Sequence, residues 1–178
     1  MKKRIVLSII ICLVCVTLFL VLKTVYRIKD KKQIANNIAS LPDLTIIKTD
    51  FNSLKINSIT SNNSIILIAF NTTCDVCQHE IKDILDNIKR FEKVKIVMIS
   101  SEPMDSIINF QRKYELNKYD NIFLGQVNDV YASQILGIEI IPQIFIYSSD
   151  KKLIKVYKGE AKLDAILKYF DKTKNDTE

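Results

Sequence analysis

The chain has 178 residues, with 26 Lys and Arg against 20 Asp and Glu and a formal net charge of +6. Eight of the basic residues and one acid fall in the first 32 positions, leaving 18 basic against 19 acidic residues beyond them; the basic surplus therefore belongs to the N-terminal segment, and the rest carries no nucleic-acid footprint. Only three glycines and three prolines occur, which excludes long disordered tracts, and four cysteines in two close pairs exclude a scattered disulfide framework.

Met1-Lys2-Lys3-Arg4 precedes Ile5–Leu22, a run without a charge. As a helix it would span about 27 Å, close to the hydrocarbon thickness of a bilayer. The run is longer than a signal-peptide core and no small-x-small cleavage site follows. Cys12 and Cys15 follow Ile11 and Val14, where a lipoprotein signal wants a small residue. An uncleaved anchor over 1–22 is the expectation; basic residues flank both ends, so charge does not choose its orientation. Residues 23–43 read as a connector that continues the helix and stops at Pro42. One domain is expected over 44–172, with a frayed tail at 173–178.

Within that domain Leu44–Ile47 and Leu54–Ile59 read as a leading hairpin around Thr49-Asp50-Phe51-Asn52. Ser61-Asn62-Asn63-Ser64 is a turn before Ile65–Phe70, an unbroken apolar run suited to a strand buried on both faces. Asn71-Thr72-Thr73 breaks the run and offers side chains to cap a helix. Apolar residues at Val76, Ile81, Ile84, Leu85, Ile88 and Phe91 then recur at helical spacing. Val94–Ile99 is a second parallel strand, and Ser101-Glu102-Pro103 opens a helix. Asn121–Leu124 reads as a short strand and Asn128–Leu136 as a helix stopped by Gly137. Gln143–Tyr147 and Leu153–Tyr157 form a second hairpin. A last helix carries Leu163, Ile166, Leu167 and Phe170 on one face. At its core the order is β-α-β-α-β-β-α, an α/β arrangement that demands a mainly parallel sheet with helices on both faces.

The chemistry-bearing stretch is Cys74-Asp75-Val76-Cys77, at the join of the buried strand and the amphipathic helix. Cys74 falls at the helix N-terminus, where unpaired N–H groups and the helix dipole favour a thiolate; Cys77 lies one turn in. A disulfide exchanger needs one exposed nucleophilic sulfur and a second close enough to displace it. The bland readings are zinc ligands or two buried structural cysteines. Zinc wants four ligands, and only His79, the single histidine, lies beside the pair. His79 itself reads as an exposed helix residue. No cofactor and no metal are expected.

A strand, a Cys-x-x-Cys opening a helix, and a later Ile141-Pro142 before another strand resemble the thioredoxin superfamily. Glu80, three residues beyond Cys77, resembles the membrane-anchored extracytoplasmic thiol–disulfide oxidoreductases of the TlpA/ResA type. The resemblance spans roughly Leu44 to Phe170. It implies a thioredoxin fold with an N-terminal hairpin extension, a nucleophile at Cys74 and a resolving thiol at Cys77. It also implies a cis Ile141–Pro142 bond, with the Ile141 backbone pairing with an extended substrate segment. Glu80, which alone would read as a solvated carboxylate, is implied to shuttle the Cys77 proton. Partners would be disulfide-containing or dithiol proteins. Asp75 between the cysteines opposes the Cys74 thiolate and points to a reductase.

This chain departs from thioredoxin itself. Phe70 and Thr73 stand where thioredoxin has tryptophans, Asp75-Val76 replaces Gly-Pro, and Ile68 stands in place of a buried acid. Three other classes remain. A thiol peroxidase would want Thr and Pro where Asn71 and Leu67 stand. A copper-delivery protein would want a distant His. A non-catalytic interaction domain would tolerate the missing tryptophans.

Overall fold

In the computed structural model, which describes residues 2–59 and 63–170, the first element is the helix α1 (Lys2–Ile38). Its Ile10–Ile38 stretch is long and apolar enough to cross a membrane by length and composition. Residues 1–36 and 37–178 form two compact units. The expected connector is thus helical as far as Ile38, and the helix ends before Pro42. Pro42 is buried along with Leu41 and Leu44, and Leu41 and Leu153 make backbone hydrogen bonds with Lys151 and Ala39.

The second unit continues with β1 (Thr45–Lys48), β2 (Ser53–Lys55), β3 (Ser64–Ala69), α2 (Asp75–Asp86), β4 (Val94–Ser100) and α3 (Met104–Lys113). It closes with β5 (Ile122–Gln126), α4 (Asp129–Leu136), β6 (Gln143–Tyr147), β7 (Leu153–Lys158) and α5 (Leu163–Leu167). The leading hairpin is present, but its second strand is shorter than Leu54–Ile59. From Ile56 to Ser58 the chain turns as a 3-10 helix, which puts Ile56 fully into the core. Burial of that side chain overrides the β-propensity of the run. The turn expected at Ser61-Asn62 and the tail from Asp171 lie outside the described residues.

One seven-stranded sheet runs in the order β2-β1-β5-β4-β3-β6-β7. Parallel pairing is confined to β3–β4 and β4–β5. The other four neighbouring pairs are antiparallel, so the sheet is mixed with a parallel centre rather than mainly parallel. The difference comes from the two hairpins, which add antiparallel edges that helix-strand alternation does not reveal. As expected for a strand between two layers, β3 is buried on both faces. Ile66 and Ile68 join the core under α2, α3 and α5, while Ile65, Leu67 and Ala69 join a second core with α4 and the first hairpin. Helices thus cover both faces.

Gly137 ends α4 in the left-handed region at φ 60°, as its position predicts. Gly125 serves a different need. A Cβ there would lie 2.8 Å from the Ile47 carbonyl oxygen and 3.0 Å from the Ile46 side chain, at the seam where β1 joins β5. Gly125→Ala is expected to destabilise the domain by about 2 kcal/mol, because backbone on one side cannot yield as a side chain would. A urea midpoint equal to wild type would show that the seam can open.

Candidate functional site

The strand β3 delivers the chain to Phe70, whose N–H still donates to the Ile99 carbonyl at 3.0 Å. Asn71, Thr72 and Thr73 then form a turn, closed by the Cys74 N–H donating to the Asn71 carbonyl at 3.3 Å. The cap of α2 is Cys74 itself and not the Asn-Thr-Thr segment. Its sulfur accepts the Cys77 N–H at 3.2 Å, and its carbonyl accepts the Gln78 N–H at 3.0 Å. The two cysteines are thereby fixed to one another through one of the free donors of the helix's first turn. Both are free thiols; Cys74 is partly exposed and Cys77 is buried. Burial pushes the Cys77 thiol up to about 12, and the neighbouring Cys74 adds to the shift.

The buried face of α2 consists of Cys77, Glu80, Ile81 and Ile84, the i, i+3, i+4, i+7 stripe of an amphipathic helix. Glu80 therefore occupies a slot that the pattern reserves for an apolar side chain, and it is only 3% exposed. Val76, counted on the apolar face from sequence, lies off this stripe and is 42% exposed, beside Asp75 in the first turn. The Glu80 Oε2 accepts the Ala161 N–H at 3.0 Å. Burial pushes its carboxyl from 4.5 up to about 7; the Ala161 N–H pulls it back, while the charges of Glu160 and Asp83 push it further up. Among the described residues this hydrogen bond runs to Ala161 and none joins Glu80 to Cys77. His79 is exposed, 3.2 Å from Glu160 and 3.8 Å from Asp83.

The Ile141–Pro142 bond is cis, as the resemblance implies. Pro142 is buried, and Ile141 packs with Cys74 against the same core cluster. Ile141 also lines a small solvent-open cleft with Phe70, Asn71, Ser100, Asp129 and Ala132. The cysteines and the Ile-Pro segment, far apart in sequence, thus meet at one end of the sheet. Among the described residues no group of three His, Cys, Asp or Glu side chains converges as a metal site would require.

One participant was not legible as a site residue. Glu102, read from sequence only as part of a helix start, turns its carboxylate onto Thr72 and accepts both the backbone N–H and the hydroxyl of that residue. Its contact is long-range, so no local pattern announces it.

Residues 39–156 match the model of the AhpC/TSA family. Solved structures similar to this chain share its fold at low identity. A peroxiredoxin-like protein from Aquifex aeolicus is 14% identical over 75% of this chain and 84% of its own, with a TM-score of 0.62. An exposed lipoprotein thioredoxin from Streptococcus pneumoniae is 17% identical over 73% and 98%, with a TM-score of 0.57. A secreted disulfide oxidoreductase from Mycobacterium tuberculosis is 14% identical over 71% and 92%, with a TM-score of 0.59. No curated protein sequence matches the chain.

The raised Glu80 carboxyl has a consequence for stability. Because the fold favours its protonated form, the contribution is fully present below 4.5 and is lost as pH rises through about 7. Wild type should therefore lose up to about 3 kcal/mol across that window relative to Glu80→Gln, which cannot ionise. Denaturant midpoints of both proteins at pH 4.5, 6 and 8 measure the difference, and parallel curves would mean that Glu80 is solvated.

Proposed function

The chain belongs to the AhpC/TSA family, and from that premise we propose that it exchanges thiols and disulfides with partner proteins through Cys74 and Cys77. The observation that carries this reading is the unequal placement of the two sulfurs. Cys74 caps a helix tip partly open to solvent, and Cys77 is buried one turn deeper with a protonatable carboxylate on the same helix face. The Cys74 thiolate attacks one sulfur of a partner's disulfide, forming a mixed disulfide and releasing the partner's other sulfur as a thiolate. Cys77 then gives up its proton, attacks the Cys74 sulfur and expels the second partner thiolate. The partner gains two electrons, and Cys74–Cys77 becomes the disulfide, to be reduced again by a dithiol donor protein.

The second step is the hard one, since Cys77 sits near 12 while Cys74 is free. The part of that shift due to Cys74 disappears once its sulfur is bound to the partner; the part due to burial remains. Glu80, raised to about 7, is the group on that face able to take a proton near neutrality. A water or a side-chain rotation must carry the proton, as no direct hydrogen bond joins the two. The Ile141 backbone would hold an extended partner segment across the sulfurs. The exchange is taken in the reducing direction, with Asp75 placing a carboxylate in the first turn of α2 between the two cysteines. The α1 helix is taken as a membrane anchor, with the domain outside the cytoplasm, in keeping with its apolar length.

A thiol peroxidase is the second reading, favoured by the family and by the peroxiredoxins among similar structures. Against it, Leu67 is a buried strand residue and Asn71 begins the turn, where that chemistry would want Pro and Thr.

Incubation with a disulfide-bonded protein, followed by mass spectrometry, tests the exchange. Cys77→Ser should accumulate a partner adduct on Cys74, Cys74→Ser should form none, and Glu80→Gln should slow turnover most at neutral pH, by about 100-fold, the lower end of what an acid–base group contributes. Rapid consumption of hydroperoxide without partner adducts would favour the second reading, and a potential near −120 mV, typical of a dedicated oxidant, would overturn the direction. Location is tested separately: the full chain should stay in membranes through an alkaline carbonate wash, and its release would refute the anchor.

A further inference from the structure

The turn that carries Cys74 to the tip of α2 is held from outside by a side chain that the exchange chemistry does not use. Glu102, in the loop between β4 and α3, accepts the Thr72 N–H through Oε2 and the Thr72 hydroxyl through Oε1 at 3.2 Å. The grip is itself anchored. The Ser100 hydroxyl lies 3.2 Å from Oε2 and also 3.2 Å from the Glu102 N–H, which donates to it. Gln126 Nε2 donates to the Glu102 carbonyl at 2.8 Å, and the Val127 N–H donates to the Ser100 carbonyl at 2.9 Å. Ser100 is 2% exposed at the end of a core strand, so Glu102 hangs from a rigid support.

The same residue is held on its other side as well. The Thr72 carbonyl accepts from Gln78 Nε2 at 2.8 Å, and Gln78 Oε1 in turn accepts from Lys113 Nζ at 2.8 Å and the Tyr114 hydroxyl at 3.0 Å. Both backbone groups of Thr72 are therefore taken by side chains tied to β4, α3 and β5. No basic side chain pairs with Glu102 among the described residues; the donors onto its carboxylate come from Thr72 and Ser100. A charged acceptor is the stronger choice for such a grip, and a reacting atom two residues away is sensitive to displacements well under a turn's width.

We propose that Glu102 is a positioning residue for Cys74: by holding the Thr72 peptide against the β4–α3 loop, it fixes the turn that aims the Cys74 sulfur at an incoming disulfide. The inference rests on the exchange reading above, and its test is chosen so that the two can fail separately.

The experiment compares full-length wild type with Glu102→Ala, Glu102→Gln and Glu102→Asp, each at a temperature well below its melting point. Two rates are read: turnover of a disulfide-bonded protein, and alkylation of Cys74 by iodoacetamide with the site of modification identified by mass spectrometry. Glu102→Ala should lower both the kcat for the protein and the Cys74 alkylation rate by about tenfold, the size expected for losing one hydrogen bond to a charged group, with KM unchanged. Glu102→Gln keeps an oxygen able to accept the Thr72 N–H and should recover to within about threefold of wild type. Glu102→Asp, one methylene short, should resemble the alanine variant. Should Glu102→Ala lack a cooperative melt, Ser100→Ala loosens the same grip with Glu102 in place and should slow both rates by about threefold, as for one neutral hydrogen bond.

Unchanged rates in Glu102→Ala would overturn the proposal. So would a glutamine variant as slow as alanine, which would make the charge and not the acceptor responsible. A raised KM at unchanged kcat would make Glu102 a partner contact instead. If wild type exchanges no disulfides, the proposed function fails, yet the order of alkylation rates still decides whether Glu102 positions Cys74.

Discussion

A sulfur atom does the work of a helix cap in this protein. One of the free N–H groups in the first turn of α2, that of Cys77, finds its acceptor in Cys74 Sγ at 3.2 Å, in place of the hydroxyl or amide oxygen that usually fills such a position. Sulfur is a weak acceptor, so the cap stabilises less than an oxygen would. In return, the two cysteines are held one helical turn apart with a fixed difference in depth. The outer sulfur stands where the dipole's positive end and solvent meet, and the inner one is driven into the core by the same helix's amphipathic stripe.

That arrangement depends on the sheet. β3 lies between parallel β4 and antiparallel β6, and its apolar side chains feed cores on both faces, so its end cannot drift. The Phe70 N–H bonded to Ile99 extends the pairing to the last residue before the turn. The adjacent strand β6 begins directly after Ile141–Pro142, so the register of β3 against β6, with Ala69 opposite Gln143, is what brings that segment beside the cysteines. The packed centre fixes the geometry, while Val76 and Ile140 stay exposed outside it.

Those features that local pattern controls were legible in the sequence. The unbroken run from Ile65, the helix starting after Cys74 and the stop at Gly137 all appear within a residue or two of where periodicity and turn chemistry place them, whereas the cis Ile141–Pro142 bond followed only from the resemblance. The thioredoxin-like fold follows from their order. What was not legible is set by contacts between distant segments. Ile56 leaves its strand because the core takes it, and Gly125 is required because β1 approaches from 77 residues earlier in the numbering of Lys48 and Gly125. Val76 was assigned to the wrong face because a count of apolar residues ignores that Cys77 and Glu80 complete the true stripe. Glu80's burial was recoverable from that stripe; Glu102's role in the turn was not, since its partner lies 30 residues away.

The two carboxylates of this region differ in how each is satisfied, and the difference bears on what each can do. Glu102 receives donors on both oxygens and sits partly in solvent, an arrangement that holds it still as an acceptor. Glu80 receives one, from Ala161, inside the core, and its proton is bound more tightly as a result. A group used as a fixed acceptor gains from many donors, because each deepens the well that holds it. A group that must take and release a proton gains from few, because each donor lowers its affinity for that proton. Burial raises Glu80 to about 7, and its single donor only partly offsets that, so both forms are populated near neutrality. In the proposed exchange the buried neighbour that must lose a proton is Cys77, the ionisable group one turn before Glu80 on that face. A peroxide reaction confined to Cys74 would not draw on that carboxyl, whereas the proposed exchange would.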